Sequence, residues 1–240
     1  MTITGEVRSK ISVMQADMIF SYRDLNIPMN YSESVIKELN RMVQHGDIEK
    51  FARGKFYKPI RSVFGKLKPS QEEIVKDLLL KDGKRIGYVT GYAIFNKFAL
   101  TTQVPNVVQI GTRVKKNRRQ RGIVPVMFLL QHNEITEENI PLLQLLDTIK
   151  MIKEIPDADV SQSCRRLLFI LKEYENELEA LVELLMNYPP ATRALFGAMV
   201  EKLWGEESVK RVYDSLNPLS YFQFGIDGSV LPQMKKWRIK

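Results

Sequence analysis

Hydrophobic and polar positions in the first sixty residues follow a helical period, then a strand-like one. Val7, Ile11 and Met14 recur at helical spacing and predict a first helix. Ser21, with Asp24 behind it, is placed to cap a one- to two-turn helix over Tyr22 to Leu25, and Asn26 to Pro28 supplies a turn. Asn30 followed by Glu33 reads as a capping box, so the next helix is expected to begin at about Tyr31. Val35, Ile36, Leu39, Met42 and Val43 give that helix one apolar stripe, and Gly46 ends it where a left-handed conformation carries no Cβ penalty. Ile48 to Ala52 and Lys55 to Lys58 then read as two short strands around Arg53-Gly54, a hairpin in which Gly54 takes the positive φ.

Helix, turn, helix and basic hairpin is the order of a winged helix-turn-helix, a DNA-reading module. The face opposite the apolar stripe carries Ser32, Ser34, Lys37, Asn40, Arg41 and Gln44, side chains of the kinds that contact phosphates and base edges. The hairpin adds Lys50, Arg53, Lys55 and Lys58, a charge suited to a phosphate backbone or minor groove. Such a fold also serves to hold a protein partner without touching DNA. The polar, basic character of both surfaces favours duplex DNA.

Beyond the hairpin, Pro59 to Pro69 contains Arg61, Gly65, Lys66 and Lys68 and reads as a linker over a basic surface, which sets a domain boundary here. Ser70 with Glu73 starts a helix through Leu80, stopped by Asp82-Gly83. Ile86 to Val89 is a short apolar piece and Tyr92 to Phe98 is helical. Val107 to Gly111 and Ile123 to Leu130 are rich in β-branched and aliphatic residues and should pair as strands. Between them Lys115, Lys116, Arg118, Arg119 and Arg121 form a loop or hairpin tip that either contacts phosphates or is simply solvated; no aromatic is interleaved for stacking.

From Thr136 the pattern is helical. Apolar faces fall at Leu142, Leu145, Leu146, Ile149 and Ile152, at Leu178, Leu181, Val182 and Leu185, at Leu195, Phe196, Met199, Val200 and Leu203, and at Val209, Val212, Tyr213 and Leu216. Pro156 breaks the first, with Asp157 or Asp159 beginning another helix, and Pro189-Pro190 ends the second face. Tyr221 to Phe224 adds a short strand, and Lys235 to Lys240 reads as a frayed basic tail. The expected class is α+β in three parts: a winged helix-turn-helix over 1–62, a small α/β domain over 63–155 and a helical part over 156–240.

Charge sharpens this division. Net charge is +5 over residues 1–68, +4 over 69–154 and −1 over 155–240, so the whole excess of +8 lies in the first two thirds and favours a polyanionic partner there. Cys164 alone makes no internal disulfide, and with His45 and His132 it does not assemble an ordinary structural zinc site. Cys164 lies at helical spacing with Val160, Leu167, Leu168 and Leu171 and reads as a small buried hydrophobe. Neither a leader-type apolar segment nor a long apolar run appears, so a cytoplasmic protein with no membrane partner is expected.

Catalytic patterns are missing. His45 ends the proposed recognition helix and His132 has no nucleophile context. There is no P-loop, and Gly83, Gly87 and Gly91 do not match a dinucleotide-binding fingerprint. Asp82-Gly83-Lys84 offers one carboxylate and one lysine, while the pairs Glu72-Glu73, Glu137-Glu138 and Glu206-Glu207 fall in first turns of expected helices, where the macrodipole favours them. No cofactor, metal or catalytic residue is expected. A metal-dependent nuclease assembled from distant carboxylates is the minority alternative.

The stretch Gly87-Tyr88-Val89-Thr90-Gly91-Tyr92-Ala93, running through Phe98-Ala99-Leu100-Thr101-Thr102-Gln103-Val104-Pro105-Asn106 to Val107-Val108-Gln109-Ile110, resembles the domain behind the winged helix in AbiEi-type abortive-infection antitoxins. Glu137 to Asp147 resembles their first helix after the sheet, and Gly54 to Pro59 their exit from the wing. The resemblance spans roughly residues 5 to 175. It implies a transcriptional regulator that represses its own promoter, acting in phage defence as the antitoxin of a type IV-like toxin-antitoxin system. Its functional partner would be a nucleotidyltransferase-like toxin. The residues themselves support the repressor half.

Overall fold

A computed structural model describes residues 2–63, 65–81, 83–122 and 124–240, and the chain divides into two compact units, Met1–Leu78 with Gln120–Pro125 and Leu79–Arg119 with Val126–Lys240.

The first unit opens with α1 (Ile3–Val13), capped by the Thr2 hydroxyl, which accepts from the Gly5 N–H at 3.2 Å. Strand β1 (Ile19–Ser21) leads into a 3-10 turn at Tyr22–Leu25, where the Asp24 carboxylate accepts from the Ser21 N–H at 2.7 Å as the sequence led one to expect. A second 3-10 turn, Met29–Tyr31, runs directly into α2 (Ser32–His45). The expected Asn30 cap is not formed. The 3-10 turn already pairs the Tyr31 N–H with the Pro28 carbonyl at 3.0 Å, and Tyr31 takes the cap position. Gly46 ends α2 at φ 76°. Strands β2 (Glu49–Ala52) and β3 (Lys55–Tyr57) turn at Gly54, φ 71°, and β1 joins them in an antiparallel sheet of order β1-β3-β2. Val7, Ile11, Phe20, Leu25, Val35, Leu39, Met42, Ile48 and Phe56 form the core between helices and sheet.

Pro59 to Pro69 is not a free linker. It contains a hairpin of β4 (Arg61–Ser62) and β5 (Gly65–Lys66), tied down by Arg61 donating to the Gly46 carbonyl at 3.0 Å and by Lys66 on Glu49 at 2.5 Å. Helix α3 (Gln71–Leu79) follows, its Glu73 carboxylate accepting from the Ile19 N–H at 3.1 Å and the Ser70 N–H donating to Asp17 at 3.0 Å. These polar ties carry the first unit to Leu78, where 62/63 was expected.

The second unit begins with a hairpin of β6 (Leu80–Lys81) and β7 (Lys84–Arg85); the expected helix stop at Asp82 lies outside the described residues. Next come β8 (Tyr88–Thr90), α4 (Tyr92–Lys97), β9 (Val108–Thr112), β10 (Arg119–Arg121) and β11 (Val124–Leu130), forming a mixed sheet of order β10-β11-β9-β8 whose β10–β11 tip, Gln120–Pro125, belongs to the first unit. Ile123, the expected start of the last strand, is outside the described residues. The two expected strands do pair, but in parallel, Val126 opposite Val108. A parallel pair needs a crossover, so the basic stretch between them is no simple tip: Arg119 and Arg121 are strand residues.

Helices α5 (Ile140–Lys150), α6 (Val160–Leu171), α7 (Leu178–Leu185), α8 (Pro190–Trp204) and α9 (Lys210–Asp214) complete this unit, α6 being capped by Asp159, whose carboxylate accepts from the Gln162 N–H at 2.8 Å. Residues from Tyr88 to Ile239 share one apolar core, so the expected separation of 63–155 from 156–240 is not seen in the packing. Nor is the basic tail frayed. Trp237 is fully buried against Gly197, its indole N–H donates to Glu201 at 2.7 Å, and Ile239 bridges to Phe222.

Candidate nucleic-acid interface

Helix α2 is held by one face. Val35, Leu39 and Met42 are buried, and so is Glu38, whose carboxylate accepts from Arg8 Nε at 2.7 Å and lies 3.8 Å from Arg41. At 3.6 residues per turn, Glu33, Lys37, Asn40 and Gln44 then fall on the line most distant from the core, with Ser34 and Arg41 along one flank. All six are exposed. Ser32, at the first turn, is half-buried and lies off that line, toward the other flank.

The hairpin β2–β3 presents Lys50, Arg53 and Lys55 to solvent, with a register break between Lys50 and Ala52. Such a break strengthens local twist and tilts the hairpin tip. Lys58 does not join them. Its ammonium turns back to donate to the Ser12 carbonyl at 2.9 Å and the Met14 carbonyl at 3.3 Å, satisfying the C-terminal end of α1.

The second basic group is dispersed. Lys115, Arg118 and Arg119 are exposed, Lys116 sits 5.5 Å from the centre of the Phe128 ring, and Arg118 borders a cavity of about 320 Å³ lined also by Tyr92, Thr101, Gln103 and Asn106. Arg121 is paired with Asp77 at 2.5 Å in the first unit.

Sequence reasoning missed Glu33 on the outer line of α2, although its position four residues before Lys37 was the available signal. It also missed a buried polar cluster. Asp147, which pattern alone placed inside a helix without a role, accepts from Tyr88 at 2.7 Å, Thr90 at 2.8 Å and Tyr188 at 2.8 Å, while Gln131 donates to both tyrosine hydroxyls at 2.9 and 2.8 Å. Burial raises the Asp147 carboxyl above its ordinary value, the three hydroxyl donors opposing it less strongly. Burial likewise lifts both tyrosines well above the usual phenol range. Their donors and acceptors are spent on one another, the arrangement of a closed core network. Cys164 is buried and its thiol is pushed up to about 12, chiefly by desolvation, which leaves it protonated and unreactive. Among the described residues no group of three or more His, Cys, Asp or Glu side chains is placed to hold a metal ion, and no helix is long and apolar enough to cross a membrane.

Residues 6–123 match a family of unknown function, DUF6088. No curated protein matches the chain. Among solved structures, that of the RV2827C protein from Mycobacterium tuberculosis is similar, with a TM-score of 0.58 at 10% identity over 91% of this chain and 83% of that one. At that identity the likeness speaks for the mixed α+β fold alone.

Proposed function

We propose that the chain is a sequence-specific DNA-binding autorepressor whose first unit is a winged helix-turn-helix. In this reading α2 enters the major groove with Lys37, Asn40, Arg41 and Gln44 toward the bases, Ser32 and Ser34 at its leading end, and Lys50, Arg53 and Lys55 along the backbone. The observation that carries it is the pairing of two surfaces: an exposed polar row on a helix anchored by its opposite face, and a neighbouring hairpin with three exposed cations. Lys115, Lys116, Arg118 and Arg119 are secondary candidates for phosphate contact, Arg121 being paired with Asp77.

The antitoxin half rests on the resemblance of residues 87–110 and 137–147 to AbiEi-type antitoxins. In that reading the protein is cytoplasmic and non-enzymatic, and it counters a nucleotidyltransferase-like toxin encoded beside it. The self-contained Asp147 network supports a structural role for this buried carboxylate, in keeping with a protein that binds rather than catalyses. Two measurements test the two halves: binding of the full chain to its own promoter, and growth of cells carrying the neighbouring gene with and without this one. Promoter binding without rescue would leave a repressor that is no antitoxin. Rescue without promoter binding would favour a protein-interaction module that uses the same fold to hold a partner.

A further inference from the structure

The apolar stripe read from the sequence has one member that does not face the core. Val35, Leu39 and Met42 are buried, but Ile36 is 40% exposed, and the 3-10 turn that feeds α2 leaves Met29 at 74% and Tyr31 at 41%. Three large apolar side chains within eight residues thus lie in water at the leading end of α2. In helix-turn-helix docking that end meets the base edges.

Ile36 and Asn40 are one turn apart on the same ridge, so their side chains are neighbours. The chemistry of that pair is specific. Asn pairs in bidentate fashion with adenine N6 and N7, and apolar side chains contact the thymine 5-methyl group, the one apolar feature of the major groove. We propose that the edge formed by Met29, Tyr31 and Ile36 reads thymine methyl groups, with Ile36 contacting a thymine beside the adenine read by Asn40. This rests on the DNA-binding reading above and adds a specificity to it. Charge favours DNA over a second copy of the chain as the occupant, since α2 and the β2–β3 hairpin expose Lys37, Arg41, Lys50, Arg53 and Lys55 against the exposed acid Glu33, whereas the core of a protein–protein interface is depleted in charge.

The test uses the full chain and duplexes enriched from a random pool, with each thymine of the enriched site replaced in turn by deoxyuridine, which removes only the methyl group. Loss of one well-covered methyl is expected to weaken binding about fourfold at one or two positions. With Ile36→Ala the same replacement should change affinity by less than about 1.5-fold at the position Ile36 covers. Uniform tolerance of every replacement by the native chain, or equal loss in Ile36→Ala, overturns the proposal while leaving DNA binding intact. Failure to enrich any sequence overturns both. If Ile36→Ala instead shifts the mass measured by light scattering and leaves the thymine dependence unchanged, the edge belongs to a second copy and the proposal falls.

Discussion

Neutralising the hairpin while leaving Lys58 alone separates a wing from a merely basic surface. By composition Lys50, Arg53, Lys55 and Lys58 are equivalent. In the structure only the first three present their charge outward, because the Lys58 ammonium is donated to the Ser12 and Met14 carbonyls. If each exposed cation releases one counterion on binding, replacing all three with Gln should reduce the slope of log K against log salt by about 2.7, at about 0.9 per phosphate contact. Between about 50 and 200 mM salt the variant's affinity would then vary about 40-fold less than that of the native protein. Lys58→Met should leave the slope within about 0.3 of native and instead cost about 1 kcal/mol of stability, the worth of a partly exposed charge on a helix C-terminus. Anisotropy titrations at several salt concentrations and urea melts measure the two quantities. A slope change below about one for the triple variant, or a full unit for Lys58→Met, would refute the assignment.

Other consequences lie in the second unit. Trp237→Ala removes a fully buried ring and leaves Glu201 without its indole donor, so it should cost about 3 to 5 kcal/mol in a denaturant melt; a loss below about 1 kcal/mol would mean that the tail is not packed. Gly197→Ala should be severe for the complementary reason, since an added Cβ would run into the Trp237 ring, and a native melting curve would contradict that packing. The Asp147 carboxyl is raised in the folded state, so its contribution to stability is complete below the unfolded value of about 3.9 and is lost as pH rises through the raised folded value. The stability difference between native protein and Asp147→Asn should therefore decline from acid toward neutral pH; a pH-independent difference in urea melts would show that the carboxyl is not shifted.

Local signals in the sequence carried much of the first unit. The Ser21–Asp24 box, the left-handed Gly46 and the Gly54 turn are set by residues close in the chain, and each appears as the pattern indicated. What failed was non-local. A Pro- and Gly-containing stretch reads as a linker until Arg61 and Lys66 find Gly46 and Glu49, partners that lie before the β2–β3 hairpin turn and that no periodic pattern links to them. The tail from Lys235 reads as frayed because its charges are local and the cavity that receives Trp237, made by Gly197, is not. The direction of the β9–β11 pairing is likewise a property of the crossover and leaves no periodic trace.

At the candidate interface the pattern of exposed positions was legible, while the placement of individual side chains was not. Helical periodicity placed Lys37, Asn40, Arg41 and Gln44 on the exposed side correctly, because a stripe of three buried residues fixes the opposite face. It misassigned Ile36, which sits at the border where apolar and exposed positions meet. It also read Lys58 as a wing charge, since nothing in a strand pattern reveals that a side chain has been recruited to end another helix.

The claim that matters most is that α2 reads a sequence, and it is tested by titrating the full chain at physiological salt with a duplex of its own promoter and with a shuffled duplex of equal composition. The account predicts a preference for the promoter of at least about 1,000-fold. The paired substitution Lys37→Ala and Asn40→Ala should lower promoter affinity by about 2 to 6 kcal/mol while leaving the shuffled duplex nearly unaffected. Equal affinity for the two duplexes, or an unchanged preference in the double variant, would contradict it.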